Sequence, residues 1–186
     1  MSILEDGKGT GKKASVTTDN RLDVTAKTES RIYYHSRDDE TAFSVYGKRN
    51  FVAGGTNENI LYMKYNGAKD LHIKKIMFST NSDLAKIEVY FTATGVSGGA
   101  EIIPLNLNRG SANTSQTTCL HGGSTLTATV ADANEFFDIR LSKSSFLMDF
   151  DSAIIIPRDK NILLLGEVAN AGDKIRVMVY YYESVE

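Results

Sequence analysis

Hydrophobic positions recur with a period of two along most of this chain. Leu22, Val24 and Ala26 alternate with Asp23 and Thr25. Ile87, Val89, Phe91 and Ala93 alternate with Lys86, Glu88, Tyr90 and Thr92, and Leu126, Ala128 and Val130 with Thr125, Thr127 and Thr129. Successive side chains of a strand point to opposite faces, so each stretch predicts a strand with one apolar face. The same reading predicts strands over residues 30–35, 42–46, 59–65, 71–79, 135–141, 153–156, 162–166 and 174–182. Within 71–79 the phase slips: Leu71 and Ile73 alternate, then Ile76 and Phe78 resume after Lys74-Lys75. One extra residue there predicts a β-bulge that returns both apolar pairs to the core face. No window of a dozen residues keeps a helical period.

Turn chemistry separates these stretches. Gly54-Gly55, Gly98-Gly99, Gly122-Gly123 and Ala171-Gly172-Asp173 mark turns, and Asn66-Gly67 predicts a hairpin between 59–65 and 71–79. Pro104 and Pro157 sit at the ends of apolar runs, where a missing backbone donor does no harm. Many short strands with turns between them predict an all-β fold, an antiparallel sandwich or barrel, over residues 26–186. Residues 1–25 are expected to form an extended N-terminal arm. Its 7–20 stretch is Gly, Lys, Ser, Thr and Asp with scarcely a large apolar side chain, so it gains no order by its own burial.

Composition narrows the class. A chain of 186 residues, 41% hydrophobic and 24% charged, builds one core without disulfides. The net charge is −2 with both signs interleaved, which gives no electrostatic reason to expect nucleic acid as partner. The apolar runs 153–157 and 162–165 are too short to cross a bilayer, and residues 1–7 lack the charged and apolar regions of a signal peptide, so no membrane partner is expected. Cys119 is the sole cysteine, which excludes an intrachain disulfide and a multi-thiolate metal site.

The search for chemistry returns little. Gly9-Thr10-Gly11-Lys12-Lys13 lacks the spacing of a phosphate loop. His35, His72 and His121 form no metal-ligand spacing, and His72 falls on the polar phase of its strand as a rim histidine. Cys119, two residues from His121, reads as a small hydrophobe at a loop end, because a nucleophile's base is brought to it by the fold. Asp38-Asp39-Glu40 and Asp149-Phe150-Asp151 lack the glycine pivot of a calcium loop and read as solvated turns. No catalytic residue, metal or cofactor is therefore expected, and the chain reads as a binding domain.

Three places carry the binding expectation. On the final strand Ile175, Val177, Val179 and Tyr181 form one face, the core face. The other face carries Arg176, Met178, Tyr180 and Tyr182, residue types enriched at protein interfaces. The arm contributes Lys8, Lys12, Lys13 and Arg21. The long polar 105–118 stretch, with Asn106, Asn108, Arg109 and Asn113, is either a docking loop or a crossover between sheets. A carbohydrate-binding module is the competing function: that loop is rich in amides, and Tyr33, Tyr34, Tyr62 and Tyr65 would be its platforms, although Trp is absent.

Three stretches in this order resemble the decoration (cement) and head-fibre-like proteins of tailed bacteriophages. They are the arm with its following strand, Glu5-Asp6-Gly7-Lys8-Gly9-Thr10-Gly11 through Asn20-Arg21-Leu22-Asp23-Val24; the segment Asn59-Ile60-Leu61-Tyr62-Met63-Lys64-Tyr65 through Asp70-Leu71-His72-Ile73-Lys74-Lys75-Ile76; and Pro104-Leu105-Asn106-Leu107-Asn108-Arg109-Gly110-Ser111 with the closing Ile155-Ile156-Pro157 to Tyr182 strands. The resemblance implies a jelly-roll-like sandwich on the outer capsid surface of a virion, commonly a trimer. It implies the major capsid protein and its own copies as partners, and no catalytic residues.

Overall fold

The computed structural model describes residues 3–5, 13–16, 22–23, 31–37, 39–122 and 125–184. Its contacts divide the chain into two units, Met1–Ser30 and Arg31–Glu186.

In the first unit β1 (Ile3–Glu5), β2 (Lys13–Val16) and β3 (Leu22–Asp23) form an antiparallel sheet with β2 in the centre. Ser15 stands opposite Ile3 on one side and Asp23 on the other. At these residues the expected arm is ordered by backbone pairing. A backbone ladder needs paired amides rather than apolar side chains, and β2 is paired on both flanks.

The second unit is the expected antiparallel β-sandwich. It opens with a short helix, α1 (Arg31–Arg37). Then follow β4 (Ala42–Asn50), β5 (Glu58–Tyr65), β6 (Leu71–Thr80) and β7 (Ala85–Phe91). A run of short strands comes next: β8 (Thr94–Ser97), β9 (Ala100–Ile102), β10 (Leu105–Asn106), β11 (Thr117–His121) and β12 (Thr127–Thr129). The chain returns to long strands with β13 (Glu135–Leu141), β14 (Ser145–Ile156), β15 (Asn161–Val168) and β16 (Lys174–Glu183).

One sheet has the order β10-β4-β16-β6-β14 and the other β13-β7-β15-β5-β11-β9. The long strands pair in nested fashion: β4 with β16, β5 with β15, β6 with β14 and β7 with β13. Between the sheets lie Phe43, Val45, Leu61, Met63, Ile73, Ile76, Phe78, Ile87, Val89, Ile162, Leu164, Val177, Val179 and Tyr181, all buried. The core face expected on the final strand is therefore the observed one. Gly166 marks how close the layers come, since an added Cβ would meet Ile175 at 2.6 Å and Ile60 at 2.7 Å.

Four sequence readings are corrected. The strand expected over 30–35 is not found at its described residues: Arg31–Arg37 is helical, a segment too short for its period to register in sequence. Asn66-Gly67 does not close a hairpin, because β5 and β6 belong to different sheets and the turn carries the chain across. Glu88 and Tyr90, placed on a polar face, are buried. β8 and β12 pair in a two-stranded ribbon outside the six-stranded sheet, and with their flanking residues they build a second core of Tyr62, Ala93, Leu126 and Leu163, with Val96, Leu120, Ala128, Val130 and Leu165 against it. Cys119 lies within β11 and not at a loop end, fully buried opposite Met63 and Ile102.

The bulge forms where the phase slip placed it. Tyr180 pairs with Lys75 and the next residue, Tyr181, with Ile73, so Lys74 is the extra residue of β6. The acidic pair Asp149 and Asp151 is solvent-exposed, as expected, but lies within β14 and not in a connecting turn. It lies in a matching irregularity of β14, with carboxylate oxygens 3.1 and 2.5 Å from Lys74 Nζ.

Candidate functional site

Strand register assembles a surface that no single strand reveals. Across the outer face of the five-stranded sheet, Tyr46 on β4 stands beside Met178 on β16, Met178 beside Met77 on β6, and Met77 beside Leu147 on β14. Tyr46, Met77 and Leu147 are 44%, 40% and 49% exposed. An apolar row four strands wide thus faces outward from a sheet whose other face is the core. Scattered exposed hydrophobes need no explanation, but contiguous ones mark interaction surfaces.

The neighbouring rows frame it. On one side run Lys48, Arg176, Ser79 and Ser145; on the other Ser44, Tyr180, Lys75 and Asp149, with Lys75 and Asp149 paired at 3.4 Å. Arg176, Met178 and Tyr180 therefore lie together on the predicted face. Tyr182 does not take part. It is 2% exposed, because the ring of His35 on α1 stacks on it at 4.0 Å and that of His72 at 4.7 Å. His35 Nδ1 is in turn 2.7 Å from Asp39, and His72 Nε2 is 2.9 Å from Ser184 Oγ. Sequence reading missed Tyr46, Met77 and Leu147. Their signal was apolar residues on the polar phase of their strands, and only the register shows that they align.

A second feature occupies one end of the sandwich. The 105–118 stretch is the crossover: β10 pairs with β4 in one sheet and β11 with β5 in the other. Its amides mostly hold the loop itself. Asn106 Nδ2 donates to the carbonyls of Glu40 and Asn113 at 2.8 and 3.1 Å, and Asn106 Oδ1 accepts from the Asn108 amide at 2.8 Å. Asn108 Oδ1 accepts from the Gly110 amide at 3.1 Å. Such side-chain to backbone bonds stabilise irregular chain. Arg109 and Asn113 are exposed.

Beneath the loop lies a cavity of about 480 Å³, lined by Thr41, Phe43, Tyr65, Lys69, Asn113, Thr114, Gln116 and Glu183 among others. Glu183 is 6% exposed. Its Oε1 accepts from Ser115 Oγ at 2.6 Å, the Gln116 amide at 3.0 Å and Thr117 Oγ1 at 3.0 Å; its Oε2 shares the Gln116 amide at 3.2 Å. Burial pushes this carboxyl above its ordinary range, and those hydrogen bonds pull partly back. Ser115 Oγ also lies 2.8 Å from the buried Tyr181 hydroxyl. Glu183 was legible in principle, since it continues the core phase of Val177, Val179 and Tyr181. A carboxylate on an apolar phase signals a buried polar site.

Lys13 lies in β2, and Lys8, Lys12 and Arg21 fall outside the described residues. Tyr62 and Tyr65 are 6% and 2% exposed, so neither is an open stacking platform, whereas Tyr34 is exposed on α1. No group of three or more potential metal-ligating side chains occurs among the described residues. Comparison of the sequence with protein-family models and with curated proteins gives no match.

Proposed function

We propose that this chain is a structural, non-enzymatic interaction domain that decorates and stabilises a phage capsid from its outer surface, binding the major capsid protein and its own copies. The apolar row Tyr46, Met178, Met77 and Leu147 carries the reading. Aromatic, Met and Arg side chains around such a row are the composition of interface centres, with the Lys75–Asp149 pair as polar rim. The nested strand pairing supports jelly-roll wiring, in which a long antiparallel ribbon is rolled into two sheets. The resemblance to decoration proteins supplies the capsid as partner and a trimer as the favoured assembly.

The test compares the wild-type chain with a Met77→Lys/Leu147→Lys double variant, by light scattering across a concentration series and by co-sedimentation with expanded phage capsids. Both positions are solvent-facing, so the variant keeps its fold and loses self-association and capsid binding together. A wild-type chain that stays monomeric and never co-sediments sinks the reading.

A further inference from the structure

The cavity at the loop end of the sandwich is separate from the apolar sheet face and has a different chemistry. At about 480 Å³ it falls within the range of roughly 300–1,000 Å³ of small-molecule clefts, well beyond the room needed for a single water. Phe43 and Tyr65 back it with only their edges accessible, so recognition falls to its polar groups. Its walls carry hydroxyls from Thr41 and Thr114, amides from Asn113 and Gln116, one cation from Lys69 and one buried carboxylate from Glu183.

We propose that this cavity binds a neutral polyhydroxylated ligand of mono- or disaccharide size, held between Glu183 and the amides of Asn113 and Gln116. Three observations converge on that class. Glu183 Oε1 is filled by three donors while Oε2 shares only one, so Oε2 retains capacity to accept a ligand hydroxyl. Asn113 and Gln116 each offer both a donor and an acceptor, as does every hydroxyl of a sugar. The lining carries one cation, Lys69, and one carboxylate, Glu183, so a ligand without net charge matches the cavity's own balance.

The site is also preset. Gly67 lies so close to Tyr65 and Gln116 that an added Cβ would stand 2.2 Å from the Tyr65 hydroxyl and 2.6 Å from Gln116 Oε1. The absence of a side chain at Gly67 is what lets the ring and the amide take these positions. The backbone of the same loop is tied back on its other flank, where the Asn66 amide donates to the Gln116 carbonyl at 3.2 Å. Preset polar groups lower the ordering cost of binding.

Protein-observed NMR titration tests this with methyl α-glucoside, N-acetylglucosamine, maltose and chitobiose as probes, on wild type and on Ala112→Trp and Asn113→Ala. Both substituted positions are exposed, and residue 113 uses its backbone to accept from Asn106 Nδ2 at 3.1 Å and to donate to Ser111 Oγ at 3.0 Å, so both variants keep the wild-type fold, with spectral changes confined to neighbours of the substitution. The expected result is saturable shifts at the Thr114, Gln116 and Glu183 amides with a Kd in the millimolar range or tighter. Affinity falls about tenfold in Asn113→Ala, the worth of a hydrogen bond or two, and is lost when Trp fills the mouth. No saturable shift with any probe overturns the proposal, as do shifts that persist unchanged in Ala112→Trp. Peptide binding at the same amides without sugar binding overturns it equally.

Discussion

Glu183 shows how one side chain couples stability to pH. Its folded-state carboxyl titrates above the ordinary value of 4.5, because burial outweighs the hydrogen bonds from Ser115, Gln116 and Thr117. Between those two values the folded chain holds more protons than the unfolded one, so stability falls as pH rises through that window. The contribution is fully present below about pH 4.5 and lost above the folded-state value. Urea unfolding of wild type and Glu183→Gln at stepped pH checks this: the stability of wild type relative to the variant falls as pH rises through the window. A constant difference between the two would show that Glu183 titrates as in the unfolded chain. Cys119 illustrates the opposite outcome. Burial, with Glu183 and Glu101 adding to it, pushes its thiol up to about 12, which keeps it a protonated, small core side chain at neutral pH. Burial followed the phase on the inner faces, as at Ile87, Val89, Val177 and Val179, but not at Glu88 and Tyr90, which the second core covers. The place of His35 against Tyr182 was not legible, because it depends on a helix that seven residues do not announce.

At the scale of elements, the Lys74 bulge is the feature that local sequence revealed most fully. A phase slip is written in consecutive residues, and restoring both apolar pairs to one face leaves a single solution. The partner of the bulge was hidden, because Asp149 and Asp151 arrive from β14, far along the chain. The Lys74 ammonium is raised in pKa, first by its hydrogen bond to Asp151, and Asp149 is lowered, so both directions agree that the cluster is ionised in the fold. Lys74→Met is expected to cost about 1–2 kcal/mol, less than a fully buried pair, because the carboxylates recover solvent. The urea midpoint reads this with an unchanged slope, and the gap narrows in high salt. Deleting Lys74 is a harsher change. It removes the bulge and its ion pairs but leaves Leu71, Ile73, Ile76 and Phe78 in unbroken alternation on the core face, so a cooperative transition is expected at a lower urea midpoint. The Asn66-Gly67 turn marks the limit of local reading. It was correctly a turn, but whether its flanking strands pair is decided by partners elsewhere, here β15 and β11 for β5, and β16 and β14 for β6.

For the whole molecule, the two-stranded β8–β12 ribbon, a strap over the six-stranded sheet, turns a two-layer sandwich into one with a second, smaller core. Few residues secure that layer, with Leu126 at its centre. Leu126→Ala is expected to remove about 2–3 kcal/mol from the strap while sparing the main core, so that opening is local. Native-state hydrogen exchange would show faster exchange over β8 and 126–130 with β5, β15, β7 and β11 still protected; uniform loss across both cores would show instead one cooperative unit. Antiparallel architecture was legible from period two and turns, and the apolar row was not, since it exists only once four strands are in register. The nested pairing has a kinetic consequence. Ala42 finds its partner in Tyr182, and each inner pair closes a shorter loop than the one outside it. The β7–β13 and β6–β14 pairs are therefore cheapest to form and β4–β16 dearest in loop entropy. Such a chain condenses from its middle outward and folds slowly. Until β16 is made and docks between β4 and β6, both of those strands keep an open edge, so the nascent chain depends on chaperones or dilution during that interval.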